Sequence, residues 1–292
     1  MEQIISRTYK VAIVILNYMN YQETMSCVES ALQQKNVKFH IVVVDNGSSN
    51  DSYSILKKSY RNNLLVDVIR TKKNMGFAKG NNIGIAYLKH KYMTNFALLI
   101  NSDTILVDKL YIAKMLGNYR PPIGVIGSAI ISRDGKIQKR YCEYVDFPVT
   151  LVNYIKMLGY SSGVIKSEGK LEHKLNVFLN QRSNTEILHG CAMMLTPSYL
   201  EKYSGLYDKT FLYCEEILLY LLCERAGLQQ LYISDIKIIH KEDQSSKYLF
   251  DNESAVKKKY IRKSYKFVVI ESLINYYLQR IGKCRYVEKK SD

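Results

Sequence analysis

An α/β fold built on a doubly wound, mostly parallel sheet is predicted by three observations on this 292-residue chain. Its apolar strands are continuous runs, helical segments separate them, and polar residues collect where the strands end. Continuous runs belong to strands covered on both faces, and alternation with helices sets such strands parallel. With 47% apolar residues the chain can bury one large core with extensions or two small ones.

The strand "KVAIVILN" opens the pattern at Lys10, and residues 21–34 follow as a helix. Strand "FHIVVVD" (39–45) leads to a helix over 51–60, strand "LLVDVIR" (64–70) to one over 78–91, and "FALLI" (96–100) closes the first half. A helix is then predicted over 108–117 and, beyond the Pro121-Pro122 break, a strand over 123–131. Arg133 to about Ser183 has no clear periodicity and reads as an insertion or mobile acceptor region. Order returns at "EILHGCAMML" (186–195), with helices near 197–203 and 215–227, the second ending on Gly227, and strands "QLYIS" and "KIIH".

Composition narrows the partners. The six cysteines, Cys27, Cys142, Cys191, Cys214, Cys223 and Cys284, form no Cys-x-x-Cys pair, which argues against a zinc knuckle or a redox motif. No apolar run reaches the ~18–20 residues of a bilayer span, and the first residues lack the basic and apolar regions of a signal peptide, so a cytoplasmic location is expected. A net charge of +15 points to a polyanionic partner: nucleic acid, an anionic membrane or a nucleoside diphosphate. No nucleic-acid motif occurs, so nucleic acid is not expected.

About half of that charge lies in the tail, where eleven basic and three acidic residues follow from Lys257 onward. Lys257, Lys258, Lys259, Arg262, Lys263 and Lys266 precede Phe267, Val268, Ile270, Leu273, Ile274, Tyr277 and Leu278, a basic block feeding an apolar helical face. Such a helix can pack on the body of the protein, lie on an anionic membrane, or bury itself against a second copy, which leaves a homodimer open.

The carboxyl ends of the strands carry the chemistry. In "ALLINSDTIL" (97–106) an apolar strand stops at Asn101-Ser102-Asp103, the way open α/β sheets present ligands to metals and phosphates. The triplet is also ordinary turn chemistry on its own. Asn17, Asp45 and the loop 72–76 fall at the same edge, and "NMGFAKGNNIGI" (74–85) supplies glycines that admit close approach to a ligand and helix amides that favour a diphosphate. Taken alone, His240 at the end of "IKIIH" reads as a structural histidine, and Glu215-Glu216 as acids suited to a helix N-terminus.

Five segments in order, "VAIVILNY", "VVVDNGSSNDS", "NMGFAKGNNIGI", "LLINSDTIL" and "GCAMML…GLYDKTFLYCEEI…ERAG…IIH", make residues 11–240 resemble a family-2 glycosyltransferase of GT-A fold. The likeness is greatest to the rhamnosyltransferase-type branch that builds bacterial surface polysaccharides. It implies a Rossmann-like doubly wound sheet with an acceptor-side subregion and a C-terminal helical extension. The expected division is 1–107 for the nucleotide, 108–245 for the acceptor, and 246–292 for the extension.

The resemblance also implies roles. Asp45 accepts a hydrogen bond from N3–H of uracil or thymine, with Asn17 and Tyr18 beside the same nucleoside. Asn74, Gly76 and Lys79 touch the nucleotide and donor sugar. Asp103 stands in the second place of the family's Asp-x-Asp signature and, with His240, holds Mg²⁺ or Mn²⁺ against the diphosphate, while Asn101 replaces the first acid. His189 lines the acceptor side. Glu216, with Glu215 before it, supplies the general base. The implied reaction is inverting transfer from a UDP or dTDP sugar to a lipid-linked saccharide acceptor at the inner membrane face. Two departures stand out: Leu218 and Leu222 replace an acid and an arginine that family members often carry. They, with Asn101, suggest as a rival a catalytically silent sugar-nucleotide-binding subunit. A nucleotidyltransferase fits less well, because its lysine-bearing triphosphate loop is absent near the N-terminus.

Overall fold

The computed structural model of the protein describes residues 9–138, 141–167, 169–180, 185–241 and 253–282. The leader expectation at residues 1–8, Cys284 and the basic residues from Lys283 onward lie outside the described residues.

Strands β1 (Lys10–Asn17), β2 (Lys38–Asp45), β3 (Val66–Arg70) and β4 (Phe96–Asn101) run parallel. Their two buried faces account for the unbroken apolar runs. Val11, Ile13 and Ile15 pack on the side of helices α1 (Tyr21–Leu32) and α2 (Ser52–Tyr60), while Ala12 and Val14 pack against α3 (Phe77–Tyr92) on the other. Burying each such branched side chain is worth roughly 1.5–3 kcal/mol, so neither face accommodates a polar residue cheaply.

The sheet has eight strands in the order β3-β2-β1-β4-β9-β6-β10-β5, completed by β5 (Thr104–Ile105), β6 (Ile123–Ser132), β9 (Ala192–Leu195) and β10 (Gln229–His240). β10 runs parallel to β6, whereas β9 and β5 are antiparallel to their partners. "QLYIS" and "KIIH", expected as separate strands, are one strand with a register shift between Ile233 and Lys237. The polar Ser234-Asp235 pair interrupts the apolar pattern without ending the backbone ladder.

Register brings the polar positions together. Asn17 pairs with Asp45, Asp45 with Arg70, and Leu16 with Asn101, so one carboxyl edge carries them all. The chain then turns through Ser102-Asp103 and returns as β5 beside the end of β10, where Thr104 pairs with His240. This short antiparallel strand sets Asp103 against a histidine more than a hundred residues later in the chain.

The stretch 133–183, expected to be irregular, is largely built. β7 (Tyr141–Glu143) pairs with β8 (Thr185–Ile187), and helices α5 (Val149–Ser162) and α6 (Lys170–Asn180) lie between them in sequence. The periodicity of α5 is mixed, because Val149, Tyr154 and Met157 pack inward together with polar residues. Thr150 and Asn153 of α5 bond Ser272 and Tyr265 of the C-terminal helix α9 (Glu253–Arg280), while Ile155 and Leu158 face out at 49% and 42% exposure. The short helices α4 (Tyr111–Gly117) and α7 (Pro197–Leu200) and the helix α8 (Glu215–Arg225) complete the described elements. A third apolar cluster joins α8 to α9 through Ile217, Leu218, Leu221, Tyr265 and Val268.

Candidate active site

A cavity of about 210 Å³ opens at the carboxyl edge of the sheet. Tyr18 borders it from the end of β1, Asn46 from β2, Asn74 and Gly76 from the loop entering α3, Asn101 to Asp103 from the β4–β5 turn, and His240 from β10. The opposite wall is Phe211, Leu212 and Tyr213 with Lys257 of α9. Thus Tyr18, Asn74, Gly76, Asn101, Asp103 and His240 share one cavity, while Asn17, Asp45, Lys79, Glu215 and Glu216 do not line it.

Asp103 and His240 face each other with Oδ1 and Nε2 3.3 Å apart, and Asn101 Nδ2 lies 3.5 Å from the same nitrogen. Asp103 Oδ1 and His240 Nδ1 are buried with no hydrogen-bond partner among the described residues. Leaving such atoms unsatisfied costs roughly 1–3 kcal/mol each, and a cation bound between Asp103 Oδ1 and His240 Nε2 would satisfy the first of them. A divalent cation fits: a hard carboxylate oxygen and an imidazole nitrogen are suitable donors. Among the described residues no group of three or more His, Cys, Asp or Glu is placed to hold a metal, so further ligands would come from a bound diphosphate or water.

Asp45 is wholly buried beneath this edge. Its Oδ2 accepts from Asn17 Nδ2 at 2.8 Å, and its Oδ1 accepts from the Ser48 amide at 3.2 Å and lies 3.3 Å from Arg70 Nε. Asn17 is itself fixed by Thr24 Oγ1, which donates to its Oδ1 at 2.9 Å. Lys79 projects to solvent from the first turn of α3.

Sequence reasoning passed over Asn46 and, in the opposite wall of the cavity, Lys257. Asn46 donates to Asn74 Oδ1 at 3.0 Å and to Gly76 O at 3.2 Å, and accepts from the Met75 amide at 2.9 Å, holding the glycine loop in place. Its signal was its position next to Asp45. Lys257 was hidden within a basic block, where nothing local separates a cavity residue from a surface one. Gly76 has φ +84°, and a side chain there would strike Phe211, whose carbonyl accepts from Phe77 N at 2.8 Å.

The two acids open α8 directly after Tyr213 and Cys214, consecutive non-glycine residues at φ 72° and 68°. Left-handed backbone of this kind costs of order 1–3 kcal/mol per residue and persists where surrounding structure enforces it. Here it sets Tyr213 in the cavity wall and the two acids at the head of α8. Glu215 is buried and accepts from Thr210 Oγ1 at 2.9 Å; burial, then the charge of Glu216, pushes its pKa up to about 8. Burial also raises Glu216, with the Gly190 amide opposing and Glu143 adding to the rise. Glycine at 190 leaves room for the Glu216 carboxylate, which a Cβ there would displace. His189, the preceding residue, lies 5.7 Å from His240 between ring centroids, and burial followed by the His240 charge lowers its pKa to about 4, so it stays neutral.

Because Glu215 binds its proton more tightly when folded, its contribution to stability is complete below its unfolded pKa near 4.5 and is lost as pH rises toward 8. Urea unfolding across pH 5–8 should therefore show stability falling by a few kcal/mol, and Glu215→Gln should flatten that fall; equal slopes in both proteins would show that this carboxyl is not the source.

The departures Leu218 and Leu222 have a structural counterpart. Leu218 is wholly buried against Tyr265 and Val268 of α9, and Leu222 is buried in the cluster beneath α3 and β9. Polar clamps flank this seat: Arg225 bonds Glu271 at 2.6 Å and Asn275 at 2.9 Å, and Asn275 donates to Leu221 O at 2.9 Å. α9 in turn supports the cavity wall, with Ser264 Oγ donating to Leu212 O at 2.8 Å and Tyr260 stacked on Phe211.

A mostly parallel sheet with a carboxylate, a histidine and an asparagine-rich loop at its carboxyl edge defines a nucleotide-binding enzyme fold of the GT-A kind. Residues 12–200 match the family model "Glycosyl transferase family 2", and the chain belongs to that family. The low-salt glycan biosynthesis hexosyltransferase Agl10 of Haloferax volcanii is 23% identical over 232 residues; the match covers 78% of this chain and 65% of that relative's length. Among solved structures, the mannosyltransferase PcManGT from Pyrobaculum calidifontis, determined with GDP-Man and Mn²⁺, superposes with a TM-score of 0.56 at 11% identity, covering 94% of this chain and 76% of its own. TarS 1–349 of S. aureus, determined with UDP-GlcNAc, gives 0.53 at 15% identity over 92% of this chain and 73% of its own. The family and the fold expected from the motifs are both borne out.

Proposed function

We propose that the protein is an inverting, dication-dependent glycosyltransferase that transfers a hexosyl group from a pyrimidine nucleoside diphosphate sugar, UDP-hexose or dTDP-rhamnose, to a saccharide acceptor in bacterial surface polysaccharide synthesis. The observation that carries this reading is the Asp103–His240 pair, in which the unpartnered Asp103 Oδ1 faces His240 Nε2 at 3.3 Å beside Asn101 in the cavity that Asn74 also lines. That two structural neighbours were solved with nucleotide sugars, GDP-Man with Mn²⁺ in one and UDP-GlcNAc in the other, supports a nucleotide-sugar donor and a dication.

In this reading residues 1–107 hold the nucleotide, 108–245 the acceptor, and 246–292 form the extension. Asp103 and His240 hold Mg²⁺ or Mn²⁺, which when bound offsets the charge of the departing diphosphate. Tyr18 packs against the nucleoside, Asn101, Asn74 and Gly76 orient the sugar and diphosphate, and the Lys257 ammonium adds positive charge from the opposite wall. Glu216 removes the proton from an acceptor hydroxyl, which attacks the anomeric carbon in line. Asp45 reads N3–H of the base; of its partners, Arg70 has a side chain 44% exposed and is the one a base displaces. The acceptor is lipid-linked, presented at the inner face of the membrane. Among the described residues no helix is long and apolar enough to cross one, so attachment would be peripheral. Of the leucines that motivate the silent-subunit rival, Leu218 is occupied in seating α9 and Leu222 in the cluster beneath α3 and β9, which weakens the case for it.

The test is calorimetric titration of the protein with UDP, dTDP and GDP, each with Mn²⁺ and with chelator. Metal-dependent binding of UDP or dTDP, at least tenfold tighter than GDP, is expected. Preference for GDP would break the role given to Asp45, and binding indifferent to chelator would break that of Asp103.

A further inference from the structure

We infer that the outward face of α9 is a docking surface for an anionic phospholipid bilayer, an inference that rests on the membrane-side acceptor proposed above and gives it a location. The apolar face expected from the sequence divides into two in the structure. Ile261, Tyr265, Val268 and Asn275 recur at helical spacing toward the protein, where they meet α8 and α5. On the opposite side, exposed Lys259, Lys263 and Lys266 follow one another at intervals of four and three. The same line continues unbroken as Ile270, Leu273, Ile274 and Tyr277, exposed by 47%, 45%, 38% and 63%. One face of one helix thus begins with ammonium groups and ends in apolar side chains.

Nothing acidic interrupts this line. Glu271 lies within the stretch but turns inward, where it is 6% exposed and paired with Arg225 at 2.6 Å. Four contiguous large apolar side chains left in water are costly, and the lysines beside them select what covers them. A membrane interface of net negative charge matches both halves: lysines meet headgroup phosphates, and Ile270, Leu273 and Ile274 enter the boundary with the acyl chains. Tyr277, apolar in body and polar at its tip, suits that boundary. A second copy matches neither half. Parallel pairing would set lysines against lysines, and antiparallel pairing would lay them on the partner's apolar half.

The geometry also fits the reaction. Lys257, in the first turns of α9, lines the cavity, so the helix that would lie on the bilayer also walls the site that would receive a lipid-linked acceptor.

The experiment is co-sedimentation of the full chain with phosphatidylcholine vesicles, with and without phosphatidylglycerol, at low and high salt. Binding is expected to anionic vesicles only and to weaken with salt. Lys259→Glu, Lys263→Glu and Lys266→Glu together should reduce it at least tenfold, and so should Ile270→Ser with Tyr277→Ser. Lys35→Glu with Lys58→Glu, exposed on the α1 and α2 side, should leave it unchanged. Failure of the native chain to bind, equal binding by the outer-face variants, or a dimer in analytical ultracentrifugation that the Ile270/Tyr277 variant dissolves would overturn the inference. Nucleotide titrations on the same variants in vesicle-free solution should match the native chain, which separates a failure of this surface from a failure of the donor site.

Discussion

Glu216→Gln is expected to lower kcat by roughly 10²–10⁴-fold while changing donor affinity less than about twofold, the loss proper to removing a general base. The amide keeps the size of the carboxylate and can still accept from the Gly190 amide, so the backbone around it is not disturbed, but it cannot take a proton. Glu215→Gln makes the control. Its oxygen still accepts from Thr210, and because Glu215 is the more deeply buried of the two and raised to about 8, it is largely protonated at neutral pH already. Its turnover should stay within roughly tenfold of the native enzyme. The pH profile adds a second readout: Glu216 is raised above the ordinary carboxyl range by burial, so activity should climb with pH through a limb higher than that of a free glutamate. A Glu216→Gln enzyme with native turnover would remove this residue from the mechanism.

Asp103→Ala should abolish Mn²⁺-dependent nucleotide binding, weakening it by at least roughly a hundredfold and reducing turnover by as much or more. His240→Ala should act in the same direction with a smaller effect, since one hard oxygen ligand remains. The decisive comparison is native chain against Asp103→Ala in chelator: the two should bind nucleotide alike, because the carboxylate matters only with the cation present. Asp103→Asn distinguishes charge from shape, and recovery of native binding by the neutral amide would show that the side chain positions substrate without a metal. Titration calorimetry reads all four proteins under one protocol.

The parts of this molecule legible in its sequence are those whose physics is local. β1 to β4 are buried on both faces, and a doubly buried strand writes itself as an uninterrupted apolar run. Asp45 and Asp103 were visible because each stops such a run. The remainder depends on pairings between distant segments. No pattern near Asp103 or His240 announces the antiparallel β5 that sets them side by side, and none near Asp45 reveals that Arg70 occupies its carboxylate. α5 evaded notice because polar Thr150 and Asn153 share its inward side with Tyr154 and Met157 while Ile155 and Leu158 face out. Lys257 could be told from its basic neighbours only once the helix was placed against the cavity.

The Leu218–Tyr265–Val268 seat bears on where this protein can be divided. A cut in the segment between β10 and α9 looks harmless on the chain, since the great sheet and every residue assigned to the reaction except Lys257 lie upstream. Yet the fragment so produced would present Ile217, Leu218 and Leu221 to water, leave Arg225 without its acid, and withdraw the serine and tyrosine that brace Leu212 and Phe211. An enzyme trimmed there would lose one wall of its cavity along with its solubility, so the C-terminal helix is best regarded as the last installed piece of the catalytic body.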